Sequence, residues 1–128
     1  MASIVNTQSK ILAAASNSPA TLDAAAQFVL LYLDPLTQSH AGRLEQIAAG
    51  NGGQPLVAVL LNPPDELLPE RARAELAASL ACVQQVITGA DEAWIAALPP
   101  ARCLDERAAD LARREALMQH VAARHALA

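Results

Sequence analysis

Two stretches of the chain are apolar without alternation: residues 28 to 33, FVLLYL, and residues 55 to 62, PLVAVLLN. A strand with one wet face alternates apolar and polar positions. Unbroken runs of this length therefore predict strands covered on both faces, as in a parallel sheet. QQVIT, residues 84 to 88, is a third strand candidate, and ARCLD, residues 101 to 105, a fourth.

Between these runs the period becomes helical. From His40 to Ala49, the residues Ala41, Leu44, Ile47 and Ala48 share one face, while Arg43, Glu45 and Gln46 fall elsewhere. Gly50 stands where helices commonly end. A second helix is predicted from about Pro69, which suits a first-turn position. Its expected buried stripe is Ala72, Leu76, Leu80 and Val83, with Arg71 and Arg73 on the surface. Asp91 is expected to cap a short helix holding Trp94, Ile95 and Leu98, with Trp94 packed on the sheet. A long helix runs from Asp105 to about Ala126. Leu111, Met118, Val121 and His125 lie along one side of it, and Asp110 sits four residues before Arg114 as a surface pair. Arg124 and His125 near its end suit the helix dipole.

The lead-in carries less pattern. Residues 3 to 5, SIV, read as a short edge strand or as no element. Residues 9 to 15 read as weakly helical, Asn17-Ser18-Pro19 breaks them, and Thr21 is placed as the cap of a short helix through Ala26.

Strand and helix thus alternate four times, without an internal repeat or a linker. This order predicts one domain over residues 1–128, with 1–27 as a lead-in. Its architecture is a three-layer, doubly wound, Rossmann-like α/β fold. About four or five mostly parallel strands carry helices on both faces.

Composition narrows the function classes. The chain has 128 residues, a formal net charge of −4 and one lysine, Lys10. That balance argues against nucleic acid as a partner, which requires a dense basic surface. No segment is long enough to span a membrane, and the apolar run after Lys10 is too short for a secretory signal, so a cytoplasmic location is expected. Cys82 and Cys103 lack CxxC spacing and read as small buried side chains in a reducing compartment. No His, Cys, Asp or Glu cluster has metal-ligand spacing, and His120 and His125 do not share a helix face. The alanine-rich last helix suits packing against a second copy or a partner protein.

The joint DPLTQSH, residues 34 to 40, lies between the first predicted strand and its helix. Ligands of doubly wound sheets bind outside the carboxyl ends of the strands, near the point where strand order reverses. Thr37 and His40, three residues apart, are placed to face that space together with free amides of the helix start. The plainer alternative is a turn with a helix cap. Asp34 and Arg43 are further candidates, with turn chemistry and a solvated surface as their alternatives.

The stretch FVLLYLDPLTQSHAGRLEQIA resembles the opening strand and helix of the cytidylyltransferase-like nucleotidyltransferase superfamily, whose members carry a T/HxGH motif. With threonine first, it resembles the phosphopantetheine adenylyltransferases. VAVLLNP resembles the family's next strand. LLPERARAELAASLACVQQVI and SKIL resemble the glycerol-phosphate and sugar-phosphate branch. The similarity covers about residues 9 to 89. It implies transfer of a nucleotidyl group from ATP or CTP to a small phosphorylated acceptor, with Mg2+ accompanying the nucleotide. Thr37 and His40 would stabilise phosphate charge, with Asp34, Ser39 and Arg43 around the nucleotide. The chain departs from the family twice. Ser39 replaces the motif glycine, whose missing side chain allows close ligand approach; its alternative is an ordinary N-cap of the helix. The family's late serine/threonine-rich turn with a basic residue is also absent. Asp105 and Glu106 stand there instead and repel phosphate. These departures imply an alternative, a catalytically inactive descendant that acts as a nucleotide-binding or protein-interaction module.

Overall fold

A computed structural model describes residues 7–23 and 25–126. Five strands form one sheet: β1 (Ile11–Ala13), β2 (Gln27–Leu31), β3 (Leu56–Leu60), β4 (Gln85–Thr88) and β5 (Cys103–Asp105). Four α-helices accompany them: α1 (Gln38–Ala49), α2 (Glu70–Ala78), α3 (Glu92–Ala96) and α4 (Arg107–Ala126). The strand order is β1-β4-β3-β2-β5, and every pairing is parallel. The chain steps from β2 through β3 to β4 in one direction, then returns to lay β5 on the far side of β2. The order therefore reverses between β2 and β5, and the carboxyl ends of these two strands border the switch point. This is the Rossmann-like α/β architecture that the unbroken apolar runs predict.

Alternation within the runs sorts them into two cores. Val29, Leu31, Ala58 and Leu60 face Leu44 and Ile47 of α1 and Ala74, Ala77 and Ala78 of α2. Phe28, Leu30, Val57 and Val59 face Trp94 and Leu98 on the other side. Trp94 thus packs its helix on the sheet as expected, and its indole N–H donates to Asn17 O at 2.9 Å. Asp91 caps α3 by accepting from Trp94 N.

Several expectations fail on contact with the fold. Residues 9 to 15 contain β1 between 3-10 turns, because β4 offers an open edge and pairs Ile11 with Val86. Lys10 fastens this lead-in, donating from Nζ to Val83 O at 2.9 Å. Thr21 ends a 3-10 turn, Pro19–Thr21, and caps no following helix. The SIV segment lies outside the described residues. In α2 the buried face is Arg73, Ala74, Ala77 and Ala78, and Leu76 is exposed. Small alanine side chains let this helix lie close to the sheet, which turns the leucine outward. Arg71 is on the surface, whereas Arg73 is fully buried. Asp110 and Arg114 are also buried rather than paired on the surface. Cys82 and Cys103 are free and half-buried, and burial pushes both thiols above their usual range. Among the described residues no helix is long and apolar enough to cross a membrane.

Candidate functional site

The polypeptide leaves β2 at Leu31 and enters α1 at Gln38. The intervening loop lies at the switch point, where the resemblance places Thr37 and His40. Thr37 is extended (φ −104°, ψ 171°), the conformation of a helix N-cap. Its Oγ1 accepts from His40 N at 3.4 Å, and Thr37 N donates to His40 Nδ1 at 3.2 Å. The two residues thus close a capping box, with histidine in the place usually held by Glu or Gln. Thr37 Oγ1 also lies 2.6 Å from Nδ1. Because the Thr37 amide can only donate, Nδ1 is an acceptor, and the proton of the neutral ring belongs on Nε2. We expect Thr37→Ala to cost about 1 kcal/mol of stability, as loss of a cap does. Urea unfolding measures it.

His40 Nε2 donates to Asp110 Oδ1 at 2.9 Å, and the imidazole is only 3% exposed as a residue. The other carboxylate oxygen, Oδ2, accepts from Tyr32 N at 2.7 Å and Leu33 N at 2.9 Å. Leu33 is left-handed (φ 52°), and its amide converges with that of Tyr32 on this one oxygen, as successive amides do in an anion-binding nest. Burial alone would push the Asp110 carboxyl up. The bonds from His40, Leu33 and Tyr32 outweigh it and hold the group below the usual carboxylate range.

The remaining candidates are drawn into the same framework. Asp34 is buried, and its two oxygens accept from Leu67 N (2.6 Å) and Leu68 N (2.8 Å), which ties down the loop before α2. Arg43 donates from Nε to Glu106 Oε1 at 2.7 Å. Ser39 is exposed in the first turn of α1, so its side chain does not fill the crevice. It lines an open groove with Thr37, Gln38, Arg113, Leu117 and His120.

Sequence reasoning missed three participants. Asp110 fills the anion cradle. Arg114 lies 3.8 Å from Asp34 Oδ2 and donates to Pro64 O (2.8 Å) and Asp65 O (2.6 Å) beyond β3. Arg73 spends all five of its N–H donors on Leu68 O, Tyr32 O, Leu61 O, Asn62 Oδ1 and Glu66 Oε1. Local spacing marks neither of the first two, whose hydrogen-bond partners lie 49 to 78 positions away. No spacing marks Arg73.

Helix α4 consequently lies across the carboxyl ends of the strands. Asp110 is fixed to the end of β2, and Arg114 to the loop after β3. The cavity left beside His40, Arg43, Glu106 and Asp110 is about 10 Å3, room for one water. Among the described residues no group of three or more His, Cys, Asp or Glu side chains is placed to hold a metal ion. The carboxylates beside the cavity are Glu106, which accepts from Arg43, and Asp110, which accepts from His40 and the Tyr32 and Leu33 amides. The chain matches no protein-family model, and no curated protein matches its sequence.

Proposed function

We propose that this chain is a nucleotidyltransferase-like α/β domain without nucleotidyl transfer, acting as a protein-interaction module. One observation carries the reading: both nitrogens of His40 are engaged inside the protein, one by Thr37 and one by Asp110. An imidazole that stabilises phosphate charge needs a free N–H aimed at the ligand and open space beyond it. Here the N–H is given to a carboxylate, and the adjoining space is water-sized. The far half of α4 supports the interaction role. Residues 118–126 are all exposed, and they include Met118 and Val121, each 45% exposed.

The catalytic reading draws on a different observation. Thr37 and His40 stand together where β2 hands over to α1, as transfer from ATP or CTP to a small phosphorylated acceptor requires. It demands that Asp110 withdraw and that magnesium arrive with the nucleotide.

Thermal and urea unfolding with ATP or CTP and magnesium separates the readings. A ligand at a hundred times its dissociation constant adds about 2.7 kcal/mol. We expect no stabilisation by either nucleotide. Stabilisation that disappears in His40→Ala, accompanied by pyrophosphate release, would reinstate the enzyme.

A further inference from the structure

Long helices are normally held to a domain by apolar burial, which tolerates small displacements because it has no preferred direction. Helix α4 is held differently. It has 20 residues, and neither apolar core includes any of its side chains. Its only buried residues are Asp110 and Arg114, and its apolar side chains Leu111 and Leu117 are no more than half-buried. Their contacts, with the pair between Glu106 and Arg43 at the helix entrance, are directional polar bonds. Such bonds fall off steeply once geometry is lost, so they hold fully or release.

The groups that hold Asp110 belong to the rest of the domain. The Tyr32 and Leu33 amides follow β2, and the His40 imidazole is fixed from its other side by Thr37. None of them needs α4 to stay in place, and water can satisfy all three donors once the carboxylate leaves. The two apolar cores would be untouched by that departure.

We propose that α4 is a releasable strap, latched by Asp110, that opens as a unit from a domain that stays folded and uncovers the His40 imidazole. This inference rests on the docking contacts and holds whether or not the crevice beneath is catalytic.

Hydrogen exchange of the full chain, followed by mass spectrometry, tests it. Local opening shows as lower protection in one segment than in the core. In the wild-type protein the amides of residues 111–116 will exchange at least about tenfold faster than those of β3. Asp110→Asn will accelerate residues 111–116 by a further factor of about ten and leave β3 unchanged. Equal protection of the two segments in the wild type, equal acceleration of both, or no acceleration in Asp110→Asn would each overturn the strap. Should Asp110→Asn fail to fold, Glu106→Gln reads the same property more gently. Losing its half-exposed pair with Arg43 will speed residues 111–116 by about threefold, with β3 again unchanged. No change there, or a change shared with β3, would equally reject the proposal.

Discussion

Arg73→Ala will destabilise the protein by about 3–5 kcal/mol, the range for removing one member of a buried charged network. Arg73 is 0% exposed, and its guanidinium joins the carbonyls at the ends of β2 and β3, Tyr32 O and Leu61 O, to the loop that leads into α2. Truncation removes five bonds at once and leaves three backbone carbonyls and the Asn62 amide oxygen without their donor. It also opens a cavity under the helix. Arg73→Lys will recover only a small part of the loss, because an ammonium has three donors on one centre and cannot span the fork. The midpoint of urea unfolding, compared among wild type, Arg73→Ala and Arg73→Lys, checks both statements. A loss below about 1 kcal/mol in Arg73→Ala would mean that the network contributes little beyond what water supplies.

The second large effect is acid sensitivity through Asp110. The folded-state carboxyl titrates below its ordinary value of 3.8, since the His40, Leu33 and Tyr32 bonds override the penalty of burial. A group whose folded pKa is depressed contributes stability that is fully present above its unfolded pKa. That contribution disappears as pH falls through the folded value. Stability will therefore be flat with respect to this group from neutrality down to roughly pH 5 and will fall below roughly pH 4. Asp110→Ala will remove about 2–3 kcal/mol at pH 7 and flatten the acid limb. The cost is smaller than for Arg73 because α4 can lift and admit water to the abandoned donors. Urea unfolding at intervals from pH 7 to pH 2, with the variant beside the wild type, measures both features. An acid limb of equal slope in the two proteins would show that other carboxylates govern it.

These two residues also mark the limit of what the chain discloses locally. The strands β2 and β3 were legible because burial on both faces leaves a continuous apolar run, whereas β1, read as weakly helical, is a strand only because it pairs with the edge of β4. The helix after β2 was legible because its period is short-range, but its cap was expected at Ser39, whereas Thr37 provides it and Ser39 lies inside the first turn. Trp94 was legible for a similar reason: a lone large aromatic in a short helix has little to do but pack. The phase of α2 was misread because leucines were given more weight than alanines, although a helix pressed close to a sheet needs the smaller side chain.

What the sequence determined by itself is the alternation of strands and helices, hence the parallel α/β architecture, and the capped turn that carries Thr37 and His40. Only the tertiary structure decided what that turn faces. His40 meets Asp110 across 70 positions, Tyr32 meets it across 78, and Arg73 reaches Tyr32 across 41. Pairings at such separations leave no periodicity, because a charged residue on a helix has the same local pattern whether its face meets water or a buried oxygen. The strand order and the path of α4 select between those outcomes. Here they bring an acid and two arginines over the carboxyl ends of the strands and close the crevice from within.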